Sequence, residues 1–109
     1  MLREPPKRFF PEPLEFDWDE GNSYKNLEKH DVASFEAEEI FWTPELAPIG
    51  KQVAPQTRGE ERFGALGVTK NGRCLFVSFT IRRGKIRVIS ARSMSKTERV
   101  LYEEICQKS

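Results

Sequence analysis

Histidine is almost absent from this chain, and cysteine is scarce. One histidine, His30, and two cysteines, Cys74 and Cys106, are spread over 109 residues. A zinc site would therefore lack its usual imidazole and thiolate ligands, so the expectation is no metal, no cofactor and reduced thiols. Long apolar runs are missing too. Nothing approaches the ~20 residues of a membrane-spanning helix, and the start of the chain, with Arg3, Glu4, Pro5, Pro6, Lys7 and Arg8, has no apolar core of signal-peptide length. A cytoplasmic protein without a membrane partner is expected. Net charge is small as well, at +1. It conceals a division: Asp and Glu crowd the first 61 residues, while Lys and Arg dominate from Arg62 to Arg99. A basic segment on a near-neutral protein suits nucleic acid or an acidic protein partner, with less force than a pI above about 9 would give.

What the chain does have is period-2 alternation between Glu61 and Arg92. Asn71-Gly72 is a strong hairpin signal, because a two-residue type I′ turn needs positive φ at both central positions. Arg83-Gly84 is the second such turn. With these pairs central, Val68 falls opposite Leu75, Leu66 opposite Val77 and Gly64 opposite Phe79, while Ile81 faces Ile86 and Phe79 faces Val88. One face of the resulting meander carries Leu66, Val68, Leu75, Val77, Phe79, Ile81, Ile86 and Val88, and helices must cover it. The other carries Glu61, Phe63, Ala65, Phe76, Ser78, Thr80, Arg82, Lys85, Arg87 and Ile89, and can stay open. A one-residue slip at either turn would exchange the faces of the strand concerned.

Around the meander the other elements are short. Residues 1–13 hold four of the seven prolines and read as an extended arm, with Phe9-Phe10 available to dock on the body. Leu14, Phe16 and Trp18 alternate with acids, the pattern of an edge strand. Asp19 or Asn22 can cap a helix from about Gly21 to Lys29, and Ser34 precedes a second helix that Thr43-Pro44 ends. Glu45 to Gly59 is an irregular connector with room for a short strand near Leu46 to Ile49. Ser95-Lys96-Thr97-Glu98 has capping-box spacing and opens a last helix from Lys96 to about Gln107, burying Val100, Leu101 and Ile105. The order indicates one α+β domain, with an antiparallel sheet of about four strands and helices packed on one face.

Two stretches together resemble the BrnT toxin family. The first is Phe16-Asp17-Trp18-Asp19 followed by Asn26, Lys29, His30, Val32 and Phe35. The second runs from Glu60-Glu61-Arg62-Phe63 through Gly67, Gly72-Arg73 and Thr80 to Ile86-Arg87-Val88-Ile89-Ser90-Ala91-Arg92, closed by Glu98 and Tyr102-Glu103. The resemblance implies a RelE-like fold over residues 14–109 and a metal-independent endoribonuclease acting on messenger RNA as the toxin of a type II pair. It also implies a BrnA-type antitoxin as partner, with operator DNA bound only through that antitoxin. The chain departs from the family where Asn22 replaces a lysine and Asp31 replaces a glycine.

Metal-free RNA cleavage needs a base for the 2′-hydroxyl, positive charge for the phosphorane and an acid for the leaving 5′-oxygen. Arg87, at the centre of the open face, is the first candidate for the charge, because guanidinium pairs bidentately with phosphate; the competing reading is an ion pair with Glu61. Arg82 adjoins it, and Arg83 and Lys85 at the turn, with Arg58 in the connector, would hold further phosphates or simply be solvated. Glu61 is the candidate base, or an ion-pair partner. His30 titrates near neutrality but ends a helix, where capping is the alternative. Phe63 and Phe76 would stack a base or floor the groove. Arg62 points away in this register and is read as a structural partner of a helix carboxylate. Tyr102 either reaches the cleft rim or packs. The same fold without catalysis, binding RNA or an antitoxin, is the alternative function.

Overall fold

Two turns between strands decide this architecture, and only one has the expected form. The computed structural model describes residues 14–19, 21–22, 30–43, 45–52 and 61–107. The arm 1–13, most of the Gly21–Lys29 helix and Arg58 lie outside them. At the second turn Arg83 (φ 54°) and Gly84 (φ 75°) are both left-handed, as a type I′ turn demands, and Arg82 pairs with Lys85, Ile81 with Ile86 and Phe79 with Val88, as expected. At the first, only Gly72 (φ 84°) is left-handed. The Gly72 amide donates to the Thr69 carbonyl at 2.9 Å and the Thr69 amide to the Arg73 carbonyl at 2.9 Å. The loop therefore holds Lys70, Asn71 and Gly72, one residue more than the type I′ form. Val68 consequently pairs with Cys74, Leu66 with Phe76, Ala65 with Val77 and Phe63 with Phe79.

That one-residue shift exchanges the faces of the whole strand. Strands β1 (Ala47–Gln52), β2 (Arg62–Val68), β3 (Cys74–Arg82) and β4 (Lys85–Ser93) form one antiparallel sheet in that order. Phe63, Ala65 and Gly67 join the Val77–Phe79 face, and Arg62, Gly64 and Leu66 join the Phe76–Thr80 face, the reverse of the sequence expectation. A second irregularity lies between Ser78 and Phe79 of β3, opposite Ile89. Ile89 is the extra residue of a bulge, so Ala91 turns onto the Val77 face and Arg92 lands opposite Phe76.

Both faces are covered, which corrects the expectation of helices on one side. On the first, α1 (Ser34–Glu39) and the 3₁₀ turn Ile40–Trp42 bury Ala37, Ile40 and Phe41 against Ala65, Leu75, Val77, Phe79, Ile86 and Val88. Phe41 meets Phe79 edge-on at 5.1 Å between ring centres, and Phe16 at 5.5 Å. The N-cap of α1 is Ala33 rather than Ser34; Glu36 reaches back to its amide at 3.0 Å. On the second face, α2 (Lys96–Gln107) sets Tyr102, Ile105 and Cys106 against Leu66, Phe76 and Met94. Glu98, Tyr102, Ile105 and Cys106 share one helical side by 3.6-residue spacing. Val100 and Leu101, expected to be buried, are instead exposed at 56% and 40%. The capping box is present: Ser95 Oγ accepts from the Glu98 amide at 3.2 Å, and Glu98 Oε1 from the Ser95 amide at 2.8 Å. Tyr102 packs, and its hydroxyl donates to the Glu45 carbonyl at 3.0 Å.

The expected N-terminal strand reduces to one bridge. Phe16 runs parallel to Ile86, tied by the Asp17 amide to the Ile86 carbonyl at 2.8 Å and the Ile86 amide to the Glu15 carbonyl at 2.9 Å.

Gly67 lies where the 3₁₀ turn presses on the sheet, and a Cβ there would stand 2.6 Å from Ile40 Cβ. Gly67→Ala should lower stability by about 1–3 kcal/mol, the usual cost of overpacking, read as a lower urea midpoint at unchanged m-value. A change under about 0.5 kcal/mol, the range of a neutral surface substitution, would show that the turn yields freely.

Candidate functional site

The half of the second face left by α2 is basic. Thr80 pairs with Arg87, and one further step of the β2–β3 register beyond Phe63–Phe79 sets Arg62 opposite Thr80. Gln52 pairs with Arg62 on the other side. Arg62, Thr80 and Arg87 thus form a row across three strands, with Arg82 and Lys85 as the next pair toward the turn. Arg82, Arg83 and Lys85 are exposed, whereas Ser78 and Thr80 are buried in the floor. The Thr80 hydroxyl donates to the Glu61 carbonyl at 2.6 Å.

Arg87 is held by two carboxylates of the N-terminal segment. Its Nη2 donates to Asp19 Oδ2 at 2.7 Å and its Nη1 lies 3.5 Å from Asp17 Oδ2. Alternation places these acids: Phe16 and Trp18 turn to the α1 side, where Trp18 Nε1 donates to Glu38, so Asp17 turns to the Arg87 side. Asn22 fixes the segment further. Its Nδ2 donates to the carbonyls of Val88 (2.9 Å) and Asp17 (3.1 Å), and it exchanges bonds with Asp19: the Asp19 amide to Asn22 Oδ1 at 2.7 Å, the Asn22 amide to Asp19 Oδ1 at 3.0 Å. The Asn22 amide, followed by Arg87, holds the Asp19 carboxyl below its ordinary range. Asp19 in turn raises Arg87 further above its already high value, so this arginine is permanently charged and largely neutralised.

The other expected residues are dispersed. Phe63 is on the α1 face, 5.7 Å from the Phe79 ring, so it does not border the Arg87 row; the alternation that had put Glu61 beside Arg87 fails with it. Glu61 is exposed just before β2, at the same end of the sheet as Thr80. His30 lies at the far end of β3 from the Arg83-Gly84 turn. Its carbonyl and that of Asp31, which is left-handed at φ 55°, accept from Arg73. Arg73 also pairs with Glu36 at 3.2 Å, so an arginine performs the capping expected of His30 and meets the helix carboxylate expected to meet Arg62. Arg92 finds its carboxylate on the α2 face, where Glu98 takes both Nη atoms at 2.8 Å and the guanidinium lies 4.6 Å over the Phe76 ring. Sequence reasoning placed Arg62 on the opposite face; a one-residue difference in loop length brings it into this row.

Arg92, ahead of the Ser95 amide, depresses the Glu98 carboxyl. A carboxyl depressed on folding adds stability that is complete above its unfolded value, near 4.3, and fades as pH falls through the lower folded value. With side chains 37% and 19% exposed, the pair should contribute about 1 kcal/mol, the upper end for partly solvated pairs. Glu98→Gln should therefore melt lower than the parent at pH 7 and converge on it in strong acid; a constant gap across the titration would place the loss elsewhere.

Among solved structures, the 1.1 Å crystal structure of the Brucella abortus ribonuclease toxin BrnT is similar in fold. Its TM-score is 0.54 at 21% identity, covering 76% of this chain and 99% of the other. No curated protein sequence matches. The profile described as "Ribonuclease toxin, BrnT, of type II toxin-antitoxin system" matches residues 18–98, a span that contains the whole sheet, the Asp19–Arg87 pair and the Ser95–Glu98 cap: the chain belongs to the BrnT family of ribonuclease toxins.

Proposed function

We propose that this chain is a RelE-like, metal-independent endoribonuclease that cleaves messenger RNA in the cytoplasm and so inhibits translation, restrained by a BrnA-type antitoxin that alone contacts operator DNA. The observation that carries this reading is the row of basic side chains over a buried threonine on the part of the sheet face that α2 leaves, in a member of a ribonuclease toxin family. Arg87 and Arg82 stabilise charge on the phosphorane, and Arg83 and Lys85 at the turn hold flanking phosphates, where charge attracts RNA without reading its bases. Glu61, exposed at the same end of the sheet, is the assigned base. His30 is the weaker choice for proton transfer because its backbone is anchored at the opposite end.

The catalytically inactive module is supported by one observation of its own. Asn22, where the family resemblance leads one to expect a lysine, is spent on the Val88 and Asp17 carbonyls, and two acids already occupy Arg87. Such a chain would bind RNA or antitoxin without cutting.

Purified protein incubated with RNA in excess EDTA separates the two. Cleavage should persist without metal and fall about 100-fold or more in Arg87→Ala, the scale of removing one donor to a developing oxyanion, in samples matched by circular dichroism. Equal cutting by both proteins would exclude Arg87 from the site, and a folded wild type that binds RNA without cutting would establish the inactive module.

A further inference from the structure

Arg62 and Arg87 occupy equivalent places on either side of Thr80, two interstrand spacings or roughly 10 Å apart at the backbone, yet their surroundings differ. Arg87 is paired with Asp19 and Asp17. Arg62 has no hydrogen-bond or ion-pair partner among the described residues, and its Nε is buried without an acceptor. A buried N–H on a charged group with nothing to receive it costs more free energy than an ordinary hydrogen bond returns. Its cost is offset only if the charge beside it has a use of its own.

The two positions also present different fields to an anion. A phosphate approaching Arg87 meets two carboxylates held within 3.5 Å of the guanidinium, and their repulsion cancels most of the attraction. A phosphate approaching Arg62 meets a guanidinium that no carboxylate among the described residues compensates. Among the described side chains, the Thr80 hydroxyl beside Arg62 is committed to the Glu61 carbonyl, and Gly64 along its own strand adds no bulk.

We propose that Arg62, whose guanidinium has no acceptor among the described residues, makes the principal direct contact to the RNA phosphodiester in the ground state of this site, while Arg87, anchored by Asp17 and Asp19, acts chiefly on the charge that develops in the phosphorane. The proposal rests on the ribonuclease reading above and names the residue in it that supplies uncompensated charge. The guanidinium takes two non-bridging phosphate oxygens through its terminal nitrogens and keeps them as charge accumulates in the phosphorane.

The test combines binding and cleavage for wild type, Arg62→Gln, Arg62→Lys and Arg87→Gln. Binding is followed by fluorescence anisotropy with a 2′-O-methylated oligoribonucleotide, which cannot be cut, over a series of salt concentrations; cleavage uses the unmodified oligonucleotide in EDTA. Arg62→Gln should weaken binding and reduce the salt slope by about 0.7, the loss of one phosphate contact on a single strand, and should slow cleavage about 100-fold. Arg62→Lys should keep the slope and lose most of the cleavage, because it retains the charge without the fork. Arg87→Gln should change the slope less than Arg62→Gln. Removing an unsatisfied donor should leave the melting temperature of Arg62→Gln unchanged or higher. A wild type that binds without cutting would refute the ribonuclease reading, and the slopes would still decide the role of Arg62. Unchanged slope and cleavage in Arg62→Gln, or a lowered melting temperature in both Arg62 variants, would overturn the proposal.

Discussion

Strand register is the constraint on which everything else in this domain depends, and a single left-handed residue sets it. Because Gly72 alone takes positive φ in the first hairpin, the loop closes from Thr69 to Arg73 and β2 meets β3 one residue off the shortest possible pairing. The remaining structure fits that offset. Gly67 faces Ile40 where a side chain has no room, Gly64 faces Ile49 and Phe76, and Arg62 takes its place beside Thr80. Moving the register by one would bury Arg62 and Gly64 on the α1 face and take Phe63 and Ala65 out of that core, so hydrophobic burial enforces what the turn initiates.

The elements whose instructions are local were legible in the sequence. Ser95 and Glu98 stand three residues apart and satisfy each other's backbone donors. Arg83-Gly84 needs only its own two dihedrals, and the alternation of β3 survives any register. Failures occurred where a choice between near-equal local solutions is settled at a distance. Asn71-Gly72 is compatible with loops of two or three residues, and the packing of Gly67 beneath Ile40 selects the longer. The bulge at Ile89 has no mark in Ile86-Arg87-Val88-Ile89-Ser90, yet it determines that Arg92 meets Phe76 and Glu98. The exposed side of α2 was misread because Val100 and Leu101 are more apolar than their neighbours, while the sheet accepted Tyr102, Ile105 and Cys106.

The candidate site was legible in composition and not in arrangement. That basic residues of the second half share a sheet face follows from alternation alone; which of them carries free charge depends on acids far away in sequence. Asp19 and Arg87 are 68 residues apart, and nothing near either residue predicts the pair. Asn22 and Asp31 each serve the backbone around them. The first makes amide bonds that pin the segment to β4. The second accepts a left-handed backbone that suits glycine better, with Arg73 bonded to its carbonyl.

The parallel bridge of Phe16 with Ile86 has a consequence in time. A ribosome delivers residues 14–19 first, and their partners in β4 last, after the whole hairpin pair. Contacts between neighbouring strands close short loops, whereas this bridge closes one of 70 residues and must bear the larger loop entropy. The meander can therefore assemble first and leave the N-terminal segment to dock on a finished edge. Until that docking, Arg87 stands without its two acids, so the nascent domain passes through a stage in which its basic face is more strongly charged than in the completed fold.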